Sequence, residues 1–207
     1  MTTKTDFKKT IDAYRARRDE FRVVEVPELQ YLMIDGHGDP NSSPEFASAI
    51  EALYPIAYAL KFASRNALDQ DYVVMPLEGL WWADDHAAFT SERDKSRWSW
   101  TLMTMQPEWI DTVMFSDAVA KASTKNPTGR FGEVRLEVLT EGLCAQTLHV
   151  GAFDDEAPVL ARMHDEFIPS QGAVMTGRHH EIYFSDPRKG APEKRRTILR
   201  QPIAPLS

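Results

Sequence analysis

Two short stretches decide the fold of this chain, Pro76-Leu-Glu-Gly-Leu-Trp-Trp82 and His179-His-Glu-Ile-Tyr-Phe-Ser185. Each has the length of a β-strand and carries one glutamate, Glu78 or Glu181, in a run rich in apolar and aromatic residues. Such a run predicts a buried or half-buried strand. The likeness of the two stretches indicates corresponding strands in the two halves of one fold.

The elements on either side of these stretches occur in the same order. Each stretch follows a predicted strand and a predicted helix, and each precedes another predicted strand. The neighbours are 29–35, a helix from Ser43 and 97–106 in the first half, and 143–150, 156–168 and 194–203 in the second. We therefore predict an α+β fold in which a strand-helix-strand-strand module occurs twice, with chance recurrence of common elements as the alternative.

The chain is long enough for one large domain with a substantial core. The loop-forming run Ser123-Thr-Lys-Asn-Pro-Thr-Gly129 marks the best internal boundary. We expect a single domain over residues 1–207, with a first half over 21–107, a connecting helix and loop over 108–130 and a second half over 131–205.

Composition and charge exclude several classes of protein. The chain has 207 residues, a single cysteine and a formal net charge of −7. One cysteine, Cys144, excludes a disulfide framework and a multi-cysteine metal site, and it suits a reducing compartment. An acidic chain lacks the basic footprint of a general nucleic-acid binder. No stretch approaches the roughly 18 apolar residues that a membrane span needs.

The N-terminal segment has no apolar core of the kind that a secretory signal carries, so we expect a cytoplasmic protein. Phe7, Ile11 and Tyr14 recur in this segment at helical spacing. This spacing predicts a helix over residues 5–20.

The two glutamates are the strongest candidates for chemistry. Side chains alternate across a strand, so Glu181 and Tyr183 share a face opposite Ile182 and Phe184. If the helices pack on the Ile182 face, Glu181 and Tyr183 point into a groove between two sheets. A carboxylate among aromatic rings suits a cationic or electrophilic aromatic ligand and can act as a general acid or base. The alternative is the solvent face of an antiparallel sheet.

Other residues complete the predicted groove. Glu78, Leu80 and Trp82 share one face of their strand by the same alternation. Further candidates on neighbouring strands are Trp100, Tyr31 and Met33. We predict that these six side chains bind the ligand and that Glu181 and Tyr183 act on it.

Metal, cofactor and nucleophile sites have weaker support in the sequence. His179 and His180 are adjacent on a strand and face opposite ways, so they cannot chelate one metal ion. The run Asp84-Asp85-His86 follows a strand and is typical of a surface loop. Cys144 lies in a predicted strand, where packing is its expected role. We therefore expect no metal and no cofactor.

The C-terminal part of the chain carries a family resemblance. Glu78-Gly-Leu-Trp-Trp82, His179-His-Glu-Ile-Tyr-Phe-Ser-Asp-Pro187 and the following Ala191-Pro-Glu-Lys194 and Thr197-Ile-Leu-Arg-Gln-Pro202 together resemble the stand-alone GyrI-like small-molecule-binding proteins. The resemblance spans about residues 15 to 205. It implies a pseudo-twofold pair of strand-helix-strand-strand modules, with antiparallel sheets, helices outside and a ligand groove between the sheets.

The resemblance also implies a function. One stand-alone branch resembles hydrolases of cyclopropane-bearing DNA-alkylating natural products, in which a pocket glutamate and aromatic residues promote addition of water to the strained ring. On this sequence Glu181 matches the acid/base carboxylate, and Tyr183 and Trp82 match the residues that orient or stack the substrate. Relatives that regulate transcription carry an added DNA-binding domain. No helix-turn-helix precedes the first helix here, so we expect no direct DNA binding.

These observations lead to a functional hypothesis with one alternative. The protein binds a flat, hydrophobic or electrophilic xenobiotic in an aromatic groove and hydrolyses it, which would detoxify the compound. The alternative is a non-enzymatic binding or sequestering protein, or an inhibitory module of the gyrase-interacting kind. The sequence leaves the natural ligand and the oligomeric state open.

Overall fold

The computed structural model describes residues 4–83, 94–185 and 191–206. The described chain has an α+β fold with a mostly antiparallel arrangement of nine strands, which confirms the predicted class. The strands are β1 (Arg22–Val26), β2 (Leu29–His37), β3 (Leu77–Trp82), β4 (Ser99–Gln106), β5 (Arg135–Leu139), β6 (Gly142–Val150), β7 (Ala173–Met175), β8 (His179–Tyr183) and β9 (Arg196–Pro205). The helices are α1 (Phe7–Thr10), α2 (Pro44–Leu68), α3 (Thr112–Lys125), α4 (Ala157–Ala161) and α5 (Ile168–Ser170), with a π-helical segment (Arg162–Phe167) between the last two.

The chain divides into two compact units, and β3 contributes to both. The first unit contains residues 4–7, 29–75 and the described parts of 81–139. Its strand β2 lies between β4 and β5 and pairs antiparallel with each. The long helix α2 begins at Pro44, as the sequence predicts, and packs against β2 and β4.

The second unit contains residues 8–28, 76–80 and the described parts of 140–207. Its strands follow the order β1-β6-β9-β8, and β7 pairs with β9. The continuous helical region from α4 to α5 packs on one face of these strands. Met163 and Ile168 from that region form a core with Ala145, Leu199 and Ile203 from the strands.

The predicted duplication is present in the order of the elements. One module runs β2-α2-β3-β4, and the other runs from β6 through the α4–α5 helical region to β8 and β9. In each module, one further strand joins by hydrogen bonding, and this strand lies in the sequence just before the other module. β1 precedes β2 but pairs with β6, whereas β5 precedes β6 but pairs with β2. The halves expected over 21–107 and 131–205 follow chain order and do not include this exchange.

The N-terminal segment differs from its prediction. A continuous helix was predicted over residues 5–20, but only Phe7–Thr10 is α-helical, and Asp12–Tyr14 forms a single 3₁₀ turn. Ala13 and Tyr14 are buried and hydrogen-bond to side chains of the second unit. These tertiary bonds outweigh the helical periodicity, because intrinsic propensity is a weak determinant in a packed chain.

The helix in the second unit also packs on a different face from the one considered in the sequence. Glu181 lies opposite Leu199 in the β8–β9 register, so both side chains point to the same face. Leu199 packs against Met163 and Ile168. The helical region therefore covers the face of Glu181, so the condition that it packs on the Ile182 face is not met.

No helix in the described ranges is long and apolar enough to cross a lipid bilayer.

A glycine–tryptophan pair fixes the packing of β2 on β4. Gly36 lies opposite Trp100 in the register, and a Cβ atom at Gly36 would overlap Cη2 of the indole. The indole is fully buried, and its Nε1–H donates a hydrogen bond to the carbonyl oxygen of Gly38 at 3.2 Å. Only glycine leaves room for the ring at this position.

We predict that Gly36→Ala lowers the free energy of unfolding by about 1–3 kcal/mol or more, because the buried indole must move to admit one methyl group. Urea denaturation measures this change. Gly132→Ala is the matched control, since a Cβ atom there would meet nothing within 4 Å and should change the stability by less than about 0.5 kcal/mol. Equal, small effects of the two substitutions would contradict the proposed fit.

Candidate functional site

The buried centre of the second unit is a hydrogen-bonded histidine between two glutamates. Nε2 of His180 lies 3.0 Å from Oε2 of Glu78, and Nδ1 of His180 lies 2.9 Å from Oε1 of Glu141. The side chains of Glu78 and His180 are fully buried, and that of Glu141 is 4% exposed. A carboxylate only accepts hydrogen bonds, so two carboxylates on one imidazole require a proton on both ring nitrogens.

Arg200 supplies the second positive charge of this cluster. Its Nη1 donates to Oε2 of Glu141 at 2.8 Å, and its Nε donates to Oε1 of Gln146 at 3.1 Å. Nη2 donates to the carbonyl oxygen of Ala13 at 2.6 Å. Two carboxylates thus face one guanidinium and one imidazolium, so the buried charges balance.

The ionisation of the cluster follows from these contacts. Burial alone would raise the pKa of Glu141, but the positive charges of His180 and Arg200 and the hydrogen bonds from both lower it to about 2. Burial alone would lower the pKa of His180, but the charge of Glu141 and the hydrogen bonds to both glutamates raise it. Glu141 and His180 therefore form a charged pair.

The N-terminal segment closes the cluster. The hydroxyl group of Tyr14 donates to Oε1 of Glu78 at 2.6 Å, so both carboxylate oxygens of Glu78 have a donor. Gln146, which accepts from Arg200, donates its own amide to the carbonyl oxygen of Arg15 at 2.9 Å. The arrangement ties residues 13–15 to the strands. We call Tyr14, Glu78, Glu141, Gln146, His180 and Arg200 the buried polar cluster.

The second candidate site is the pair formed by Glu181 and Tyr183. The Tyr183 hydroxyl donates to Oε2 of Glu181 at 2.7 Å, and Nε2 of His179 lies 3.5 Å from Oε1. The Glu181 side chain is 14% exposed, so it has access to solvent that the buried polar cluster lacks. The structure thus brings the two residues predicted to be catalytic into direct contact.

Rings pack against Tyr183 and against His179. Phe153 packs edge-to-face on Tyr183 with ring centroids 5.6 Å apart, and the Arg195 guanidinium lies 5.1 Å from the Phe153 ring centre. His164 packs edge-on against His179. A carboxylate held by a phenol beside apolar surface is an arrangement that can exchange a proton with a bound ligand or water.

Glu78 and Glu181 face opposite sides of the strands. Glu78 bonds His180, and alternation along β8 places His180 on the face opposite Glu181. The sequence left open whether the two glutamates share one groove. In the second unit they do not, and each carboxylate oxygen of Glu78 already has a protein donor.

The other predicted ligand-binding residues lie at different depths. Trp82 is half-buried, whereas Leu80, Trp100, Tyr31 and Met33 are buried. A buried side chain exposes little surface that a ligand can contact. Trp82 is therefore the side chain of these five that a ligand can contact.

The structure gives little support to the metal-binding and nucleophile candidates. Among the residues that the structure describes, no three His, Cys, Asp or Glu side chains are grouped as a metal ion requires. The run Asp84-Asp85-His86 lies outside those residues. Burial raises the pKa of the Cys144 thiol to about 12, so Cys144 is not a ready nucleophile at neutral pH.

Sequence reasoning missed most of the buried polar cluster. Its members come from separate segments, and His180 lies 102 positions from Glu78. One signal was available, because a charged residue inside an apolar strand almost always has a buried partner. Glu78 fits that description, and so does Arg200, which follows Ile198-Leu199.

We predict that Glu141→Gln lowers the free energy of unfolding by about 3–5 kcal/mol at pH 7, because it leaves two buried cations with too little negative charge. The folded pKa of Glu141 lies below its unfolded value, so its stabilisation is complete above about pH 4.5 and is lost as the pH falls towards 2. The stability difference from the native chain should therefore shrink by about 1.4 kcal/mol per pH unit below pH 4.5. Urea denaturation between pH 7 and pH 3 measures it.

Glu20→Gln is the control for this measurement, since the Glu20 carboxylate is half-exposed and pairs only at the surface. It should change the stability by less than about 1 kcal/mol at pH 7. A Glu141→Gln effect as small as that of Glu20→Gln, or one independent of pH, would contradict the charged cluster.

Comparison with known proteins identifies relatives along nearly the whole chain. The GyrI-like small molecule binding domain matches residues 19–204. A structure from Listeria innocua described as an uncharacterized conserved protein is 38% identical, with a TM-score of 0.88, and the match covers 97% of this chain and 100% of that one.

Two further Listeria innocua structures are described as hydrolases. One is 38% identical with a TM-score of 0.84, over 97% of this chain and 100% of that one. The other is 37% identical with a TM-score of 0.85, over 98% of this chain and 100% of that one. A comparison with curated protein sequences gives no match. The chain therefore belongs to the family of GyrI-like small-molecule-binding domains.

Proposed function

We propose that this GyrI-like protein is a hydrolase that adds water to a flat, hydrophobic xenobiotic carrying a strained ring, such as a cyclopropane conjugated to a carbonyl group. The observation that carries the proposal is the contact between Glu181 and Tyr183, in which the phenol holds a partly accessible carboxylate at 2.7 Å. The similarity to two structures described as hydrolases supports the same reaction class.

The reaction requires only acid–base groups. The oxygen of water forms a bond to a ring carbon, and the strained C–C bond breaks. The electron pair of that bond moves through the conjugated system to the carbonyl oxygen. The Glu181 carboxylate accepts a proton from the attacking water and then delivers it to the negatively charged carbonyl oxygen, so the product contains one added water and the carboxylate is regenerated. General acid–base catalysis of this kind contributes about 10²–10⁴-fold in rate.

The other residues predicted for the site have distinct roles in this proposal. Tyr183 holds Oε2 of Glu181, and His179 lies near Oε1, so the carboxylate is fixed in position for the water. Trp82, which is half-buried, offers its ring to stack with a flat ligand. The remaining predicted residues are buried and would act indirectly. Glu78 would anchor β3, and the binding surfaces would be supported by Tyr31, Met33, Leu80 and Trp100.

We predict that Glu181→Gln reduces turnover of a cyclopropane-bearing alkylating agent by about 10²-fold or more while its binding persists, because the amide cannot accept the proton. Tyr183→Phe should reduce turnover less, because it removes an orienting hydrogen bond only. Mass spectrometry follows the gain of one water, and fluorescence or calorimetry follows binding. Glu193→Gln, at an exposed position of the same unit, should leave both unchanged.

The competing possibility is a protein that sequesters the ligand without reacting. Tight binding with no product at a large excess of native protein would support sequestration and refute hydrolysis. Turnover that survives Glu181→Gln would refute the assignment of Glu181 as the acid–base residue.

A further inference from the structure

A cleft on the second unit is lined by residues other than Glu181 and Tyr183. It has a volume of about 300 Å³ and is bordered by the C-terminal half of β6, the turn before β1 and the helical region from α4 onward. We call it the β6 cleft and define it by Phe21, Thr147, Asp155, Val159 and Arg162. This volume suits a molecule of about the size of an amino acid.

The floor of the β6 cleft contains a polar group without a protein partner. Thr147 is 1% exposed, and its hydroxyl group has no hydrogen bond within the described ranges. Leaving a buried hydroxyl unbonded is costly, and native proteins rarely do so. An unbonded hydroxyl that lines a cleft points to a bound ligand or water as its partner.

The rim of the cleft carries charges of both signs that remain available. Arg18 and Asp19 pair with each other at 3.5 Å, which largely cancels their charges. Arg162 and Asp155 also line the cleft, and in the part of the chain that the structure describes neither side chain has an ion pair. One cation and one anion are thus presented to the same small volume.

The same volume has an apolar wall. Phe21 stacks on Phe167 with ring centroids 5.5 Å apart, and the Arg162 guanidinium lies 5.1 Å from the centre of the Phe21 ring. Val159 adds an aliphatic surface. Arg162 begins the π-helical segment, a rare feature that occurs frequently at functional sites. A ligand for this cleft therefore combines an apolar body with charged ends.

We propose that the β6 cleft binds a small dipolar molecule with one anionic group, one cationic group and an apolar body, the chemistry of an apolar α-amino acid. The anionic group pairs with Arg162 and accepts a hydrogen bond from the Thr147 hydroxyl. The cationic group pairs with Asp155, and the apolar body packs on Phe21 and Val159. None of these residues acts in the proposed hydrolysis, so the cleft is a second site.

The test is a calorimetric titration of the full chain with three probes: L-phenylalanine, 3-phenylpropanoate and 2-phenylethylamine. The first carries both charges, and each of the others carries one. L-phenylalanine should bind with a Kd in the millimolar range or tighter, and the other two should bind about tenfold more weakly or worse. Absence of L-phenylalanine binding at about 10 mM overturns the proposal, as does equal binding of a singly charged probe.

Substitutions locate the binding. Thr147→Val keeps the shape of the side chain and removes the unbonded hydroxyl, so it should weaken binding at least fivefold without lowering the melting temperature. Arg162→Gln and Asp155→Asn, at exposed positions, should each weaken binding about tenfold or more. Arg17→Gln, outside the cleft lining, is the control and should bind as the native chain does. Undiminished binding by the Arg162 and Asp155 variants would place the ligand elsewhere and overturn the proposal.

Discussion

His180 lies between Glu78 and Glu141 with no solvent around it, and much of the second unit is arranged to make this possible. A buried charge is strongly unfavourable unless it is paired and hydrogen-bonded. Arg200 neutralises the second carboxylate, and Tyr14 occupies the remaining oxygen of Glu78. Removing any one partner would leave a buried charge or an unpaired oxygen. The cluster therefore joins β3, β8 and β9 to the N-terminal segment as one interdependent set.

Side chains alternate along strand β8, so one face of the strand stabilises the fold and the other carries the candidate acid–base residue. His180 faces the buried polar cluster, whereas Glu181 faces the helical region and bonds Tyr183. Adjacent residues in the run His179-His-Glu-Ile-Tyr183 thus serve two different environments. A rigid, charge-balanced anchor on one face favours a fixed position for the partly accessible carboxylate on the other. That is the condition for general acid–base catalysis by a single carboxylate.

Local patterns predicted those features that depend on local sequence. The strands around Glu78 and Glu181, the start of α2 at Pro44 and the repeated module follow from periodicity and capping residues. The exchange of β1 and β5 between the modules does not, because strand pairing is a tertiary property. Alternation correctly grouped Glu181 with Tyr183, but it cannot tell which face a helix will cover. The partner of Glu78 was likewise hidden, since His180 is far away in sequence and Glu141 lies in what reads as a simple turn.

The fold of the second unit depends on His180 as a buried imidazolium held by two carboxylates. Long-range ¹H–¹⁵N NMR correlation of the histidine rings reads the protonation of each nitrogen directly, and His180→Gln assigns the signal. The structure predicts that both ring nitrogens of His180 carry a proton at neutral pH and remain protonated well above the usual pKa of histidine, about 6.5. A His180 ring with one unprotonated nitrogen at pH 7 would contradict the account.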